Sequence, residues 1–351
     1  MNHTVKPKIL CAAAVSAASL IAWSLFLSVR SRRRRSSEGK DEDGFKEDLS
    51  SKKSVAFVGN SMFYFNDTPR FLARLSGEII SYQDSCLRGG AKLVSLLTDG
   101  NGMSVKFATE NALRYDGTHD VGSPSVESLL CGDGVDGKRW DFVVMNDHTQ
   151  CPARVATRLD TIDALRLRYA PLLKSCGAIP VFVLTPAYRV CGIKDSNDLG
   201  DHSEFLSRLS WGYQCYADVL AEALPESQRP RIAPVGAAFE YIREHDPELW
   251  VRLFHTDDFH PSPLGTYLQC CVLHWTMFGC SPPNHIALGR DLSGISRAWE
   301  DVLETLWGEA RVMQPKKELE QRKPTREEAE MLIRVAEVVC SGALLKEQEL
   351  M

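Results

Sequence analysis

Residues 54–75 read SVAFVGNSMFYFNDTPRFLARL, and this stretch decides the fold. Its first six residues, SVAFVG, form a short apolar run rich in β-branched side chains. Such a run suits a strand buried on both faces, as in a parallel sheet. Thr68-Pro69 then opens a helical stretch, PRFLARLSGEI (69–79), with proline at a tolerated first-turn position. The chain thus passes from a buried strand through a Gly-Asn-Ser turn into a helix.

The same alternation continues downstream. IISYQDSCL (79–87), WDFVVMN (140–146) and AIPVFVLT (178–185) read as further strands, and RIAPVG (231–236) as a weaker fifth. Between them lie VATRLDTIDALRLRYAPLLKSC (155–176) and EFLSRLSWGYQCYADVLAEAL (204–224), with apolar residues at helical spacing. Strands separated by helices of this length require right-handed crossovers, hence a parallel sheet covered on both faces. The expected class is α/β, a three-layer α/β/α sandwich of flavodoxin-like type. In such sheets ligands bind beyond the C-terminal ends of the strands. PTREEAEMLIRVAEVVC (324–340) is an amphipathic helix expected to pack back on this domain as part of a C-terminal extension from about residue 283.

The N-terminus has a different character. Residues 10–29, LCAAAVSAASLIAWSLFLSV, carry no charge over about the length that spans a bilayer as a helix. The alternative is a signal peptide, whose apolar region is usually only about 7–15 residues long. Residues 1–35 are therefore expected to be a membrane anchor with a basic flank, and the charged residues 36–53 a flexible linker. The folded domain runs from 54 to 351. Arg30 and Arg32 to Arg35 follow the span and outweigh Lys6 and Lys8 before it. That bias would leave the domain facing the cytosol, on the endoplasmic reticulum or an organelle outer membrane; a lumenal or secreted domain is the alternative. The sequon Asn66-Asp67-Thr68 is followed by proline and reads as a chance match.

Charge narrows the partners. The 351 residues carry a net charge of −5, but the first 35 hold seven basic and no acidic side chains, leaving the remainder at −12. So acidic a domain is a poor candidate for nucleic acid. The eleven cysteines form no spaced framework and no CxxC pair. Buried thiols at Cys270 and Cys271 are expected, and an isolated bridge such as Cys176–Cys191 stays open.

Two segments carry candidate chemistry. Gly59-Asn60-Ser61 puts a hydroxyl at the C-terminal end of the first strand, where a glycine permits an exposing turn. Alone it is ordinary turn chemistry. Asp257-Asp258-Phe259-His260 lies on a loop before the apolar helix PLGTYLQCCVLHWTMFG. A carboxylate three residues before a histidine can hold the imidazole while the imidazole takes a serine proton. Asp258 competes with Asp257, and the spacing favours Asp257. His148 and His255 could line the crevice but read rather as loop residues, and without ligand spacing they make no metal site. Trp211, Tyr213 and Tyr216 read as helix-packing residues, and Tyr64 and Phe65 could shape a pocket.

Together, GNSMFYFNDTPRFLARL (59–75) and FHTDDFHPSPLGTYLQCCVLHWTMFG (254–279) resemble the first and last blocks of the SGNH (GDSL-like) hydrolases, in the same order. That resemblance implies a serine hydrolase acting on an acyl or acetyl ester through Ser61, His260 and Asp257. It implies an oxyanion hole made of the Ser61 backbone, Gly90 (or else Gly89) and the side-chain amide of Asn146. It implies no metal and no organic cofactor, and a small-molecule, lipid or carbohydrate ester as substrate. Asn60, Met62 and Val144 stand where many members have Asp, Leu and Gly, which marks a divergent branch. A membrane-anchored O-acyltransferase could use the same triad, although the PSPLG after His260 departs from the plant polysaccharide acetyltransferase signature. A non-catalytic binding protein on this fold is the third reading.

Overall fold

The computed structural model describes residues 51–77, 79–103, 121–131, 140–283 and 323–341. The proposed anchor, most of the linker, and most of the C-terminal extension lie outside these residues. No helix among the described residues is long and apolar enough to cross a membrane.

Five parallel strands form one sheet: β1 (Lys53–Gly59), β2 (Ile80–Leu87), β3 (Phe142–Met145), β4 (Ile179–Val183) and β5 (Arg231–Ala233), in the order β2-β1-β3-β4-β5. The α/β class and parallel sheet expected from the sequence are both present. Ten α-helices and a single α-helical turn, besides short 3-10 and π turns, accompany the strands among the described residues. They are α1 (Ser61–Tyr64), α2 (Thr68–Leu75), α3 (Leu93–Asp99), α4 (Val126–Cys131), α5 (Val155–Ala164), α6 (Ala170–Cys176), α7 (His202–Ala223), α8 (Val235–His245), α9 (Pro247–Arg252), α10 (Pro263–Phe278) and α11 (Arg326–Ser341), α1 being the single turn.

Alternation along each strand builds the two cores. Val55 and Phe57 of β1, Phe142 and Val144 of β3, and Val181 and Val183 of β4 face one side. There they meet α2, α8, α10 and α11, through residues such as Phe71, Phe239, Tyr267 and Leu332. Ala56, Val58, Val143, Met145 and Phe182 face the other side and meet α3 to α7, through Leu96, Leu129, Leu173 and Tyr216 among others. Burying a side chain such as Phe57 contributes about 2–3 kcal/mol. The β1–β2 crossover lies on the first face and those from β2 to β5 on the second. The chain therefore reverses direction across the sheet between β1 and β3, and in open α/β sheets a crevice opens at that point.

Several expected boundaries shift for local reasons. The first helix stops at Leu75, because Gly77 takes a left-handed backbone (φ 63°). β5 is three residues long, because Pro234 ends the ladder and Val235 starts α8. The long helix expected over 155–176 is continuous but passes through a π turn at Leu165–Tyr169. α11 packs back on α10 as expected, burying Ala329, Leu332, Val335, Ala336 and Val339. Cys176 and Cys191 are both free thiols, so the open bridge does not form. Cys270 and Cys271 are buried thiols.

Candidate active site

Ser61 stands two residues past the end of β1, as the first residue of α1. Asn60 caps this single turn: its Oδ1 accepts from the Met62 N–H at 3.1 Å. Its carbonyl accepts from Phe63 and Tyr64, at 3.0 and 3.4 Å. The Ser61 N–H makes no hydrogen bond among the described residues. Gly59 is needed for close approach rather than for a special φ. A Cβ there would lie 1.9 Å from Asn146 Oδ1.

Asn146 follows β3 at the opposite side of the β1/β3 gap and is fully buried. Its amide and that of Asn60 pair reciprocally. Asn146 Oδ1 accepts from the Asn60 N–H at 3.2 Å, and Asn146 Nδ2 donates to Asn60 Oδ1 at 2.9 Å. Nδ2 also donates to the Asp147 carbonyl at 3.0 Å. Both donors of the amide are thus engaged, a commitment that the strand pattern could not reveal. Gly90, by contrast, is exposed in a left-handed conformation (φ 64°), with open space where a side chain would be. Its N–H is unpaired among the described residues.

The loop 253–262 carries the other half of the site. It is closed on itself by a bridge between Phe254 and Pro261 and by His255 N–H donating to the His260 carbonyl at 2.9 Å. Ser262 then caps α10, its Oγ accepting from Gly265 N–H at 3.2 Å. Within the loop, Asp257 Oδ2 lies 2.7 Å from His260 Nδ1, and Oδ1 accepts from the His260 and Phe259 N–H groups at 3.0 and 3.2 Å. Burial alone would raise the Asp257 carboxyl. The bonds from the His260 ring and backbone outweigh it and hold the group well below the usual carboxylate range. An ionised Asp257 only accepts, so the proton of a neutral His260 sits on Nδ1 and Nε2 is the basic nitrogen. That Nε2 is buried and has no hydrogen-bond partner among the described residues.

Asp258 has another task. Its carboxylate pairs with Arg189, Nε donating at 2.7 Å, and its backbone is left-handed (φ 69°). The choice between the adjacent acids thus falls to Asp257 on geometry. His255 Nδ1 lies 3.2 Å from the same Asp257 oxygen, so two imidazoles share one carboxylate.

Phe65 and Asn66, just past the Ser61 turn, bring the two halves together. The Phe65 ring stacks on the His260 ring, with centroids 4.2 Å apart and planes 7° from parallel. The Phe65 N–H donates to the Ser61 carbonyl at 3.0 Å. Next to it, Asn66 Nδ2 donates to the Pro261 carbonyl at 2.9 Å and to Thr266 at 2.8 Å. Buried and so engaged, Asn66 has no room for a glycan in the folded chain.

Asp147, beside Asn146, has hydrogen-bond partners that the sequence pattern did not show. It is fully buried, with no ion pair among the described residues, and its carboxylate accepts four hydrogen bonds. Oδ1 takes the N–H groups of Leu93 (3.0 Å) and His148 (2.8 Å). Oδ2 takes the hydroxyls of Thr161 (2.8 Å) and Tyr216 (2.9 Å). Burial raises its pKa, and these bonds offset only part of that rise. Asp147 thereby ties the start of α3, just beyond Gly90, to the end of β3. Tyr213 and Tyr216 are buried as expected, with hydroxyls serving this loop. Trp211 is not a packing residue: it is 63% exposed, on the outer face of α7.

No family model matches the chain, and no curated protein does. Solved structures that match include a protein from Slackia heliotrinireducens described as "a putative SGNH hydrolase", 23% identical over 65% of this chain and all of its own, with a TM-score of 0.43. A DUF4886 family protein from Bacteroides uniformis is 15% identical over 73% of this chain and 93% of its own, also at 0.43. Phospholipase A1 from Streptomyces albidoflavus is 11% identical over 64% of this chain and all of its own, at 0.33. Likeness at this level says nothing about chemistry, which rests on the residues themselves.

Proposed function

We propose that the chain is an SGNH-type serine hydrolase that cleaves a carboxylic ester through Ser61, His260 and Asp257. One observation carries the reading. A buried imidazole is held on Nδ1 by an ionised carboxylate, has an unpaired Nε2, and stacks on a residue bonded to the Ser61 turn. Buried polar atoms are rarely left without a partner, and a base awaiting a proton is one accepted reason.

In this mechanism Ser61 Oγ attacks the ester carbonyl while His260 Nε2 takes its proton. Asp257 stabilises the imidazolium and fixes its orientation. The oxyanion accepts from the unpaired N–H groups of Ser61 and Gly90. Asn146 joins them if its Nδ2 exchanges one present bond for the oxyanion; removing such a donor typically costs about 3–4 kcal/mol. His260 returns its proton to the departing alcohol, leaving an acyl-enzyme. Water, deprotonated by the same nitrogen, then releases the acid and regenerates Ser61. The direct test is hydrolysis of a short-chain acyl ester by wild type and Ser61→Ala. Turnover that vanishes with the hydroxyl supports the reading; equal turnover in the variant rejects it.

The segment 10–29 is the natural membrane anchor in this reading, with the domain on the cytosolic face. Protease protection of a C-terminal tag on intact vesicles tests that orientation, and a protected tag contradicts it.

A further inference from the structure

The edge of the sheet that bears Ser61 also carries two exposed lysines without an ion pair among the described residues, on a domain that is otherwise acidic. Lys92, His148 and Lys194 come from three loops. Asp147 Oδ1 draws the first two together by accepting from the N–H groups of Leu93 and His148. Gln150 Nε2 donates to the Lys194 carbonyl at 2.5 Å and fastens the third loop to the same place. Arg154 Nη2 donates to the next carbonyl, that of Asp195, also at 2.5 Å. Lys194 and Asp195 both hold left-handed backbones (φ 55° and 58°), which residues with a Cβ rarely adopt. Strain of this kind persists only where surrounding contacts impose it, and it gathers at functional sites.

The imposed conformation sends the Lys194 ammonium over the Phe259 ring, 4.6 Å from its centroid. Phe259 in turn lies 4.1 Å from the His260 ring. Lys92 follows Gly89-Gly90-Ala91, and the Ala91 carbonyl accepts from Asn60 Nδ2 at 3.0 Å, beside Ser61. The acids of this edge are largely engaged: Asp198 by Arg154, Asp258 by Arg189, and Asp257 by His260. Asp195 stands exposed beside Lys194. Neither Lys92 nor Lys194 makes an ion pair among the described residues. After burial, the cations Lys92, Arg154 and Lys194 in turn lower the His148 pKa.

From this placement we infer that the substrate is an ester bearing an anionic carboxylate or phosphate group, received by Lys92 and Lys194 while Ser61 attacks the ester carbonyl. The inference rests on the hydrolase reading and adds the substrate's charge to it. Both lysines are exposed, so solvent screens them, and a preference of about three- to tenfold is expected rather than absolute selection.

The test compares kcat/KM of the full chain for 4-acetoxybenzoate, 4-acetoxyphenyl phosphate and neutral 4-acetoxybenzamide. The expected result is an anionic-to-neutral ratio that falls about three- to tenfold in Lys92→Gln/Lys194→Gln and is retained in Lys194→Arg, with the advantage shrinking as salt is raised. The carboxylate and phosphate arms show which group fits. Hydrolysis of the neutral ester with a ratio unchanged in the double variant would overturn the inference and leave the hydrolase standing. No hydrolysis of any of the three, with Ser61 inert to a fluorophosphonate, would overturn both. The two side chains are exposed, so the double variant should melt with wild type; a lower melting point would mark them as structural and also count against the inference.

Discussion

At the scale of single residues, the adjacent acids Asp257 and Asp258 show how little separates the proposed catalytic role from a structural one. Both lie on one turn, but only Asp257 meets His260 Nδ1, while Asp258 holds Arg189. Asp257→Asn keeps the shape of the loop but removes the charge that fixes the imidazole tautomer. Its kcat should fall by about three to four orders of magnitude. Asp258→Asn suits a left-handed backbone and should stay within about tenfold of wild type. Steady-state kinetics on the two variants, side by side, checks the assignment; the reverse order would reject it. The sequence spacing already favoured Asp257. It gave no sign of the Phe65 stack, because a ring four residues past a serine has no fixed direction until the turn at Ser61 sets it. The engagement of both Asn146 donors was equally hidden, since it depends on the facing side chain of Asn60.

At the scale of elements, the strands were legible because burial on both faces leaves an unbroken apolar run, as in SVAFVG and DFVVM. Helices α3, α4, α8 and α9 went unread. Each is short or follows a strand without a break, as Val235 follows Pro234. Asp147, the residue just after the strand expected over 140–146, is the joint between β3, α3, α5 and α7. Asp147→Ala would leave four donors without an acceptor, two of them buried hydroxyls that could turn elsewhere. A loss of about 3 kcal/mol or more is expected in urea unfolding. Asp147→Asn keeps Oδ1 for Leu93 and His148, and the hydroxyls of Thr161 and Tyr216 can turn to accept from its amide. It should cost clearly less than the alanine variant. Equal losses would mean that the charge, not the hydrogen-bond pattern, holds the joint.

At the scale of the whole molecule, the strand order 2-1-3-4-5 puts the reversal of the chain between β1 and β3. Ser61 and Asn146 therefore flank the crevice, and the loop before α10 brings His260 to it. The order itself was not legible, since alternating strands and helices fix parallel pairing but not which strand lies beside which. The fold also sets an acid limit. Burial would raise the Glu240 carboxyl, but hydrogen bonds from Arg243 and His202 lower it to about 2. A depressed carboxylate stabilises the fold above its unfolded value, and that stability is lost as pH falls towards the folded value. Between about pH 4.5 and 2 this should amount to about 2 kcal/mol, allowing for the partly exposed Arg243. Melting curves over that range should show a shallower acid dependence in Glu240→Gln than in wild type; parallel curves would contradict the pairing.

The central claim is that Ser61 is a nucleophile activated by His260. It is tested most directly by treating the folded protein with a fluorophosphonate and locating the adduct by peptide mass spectrometry. The account predicts one adduct, on Ser61, absent in Ser61→Ala and strongly slowed in His260→Ala. A folded protein that takes no label, or one labelled equally without the Ser61 hydroxyl, would contradict it.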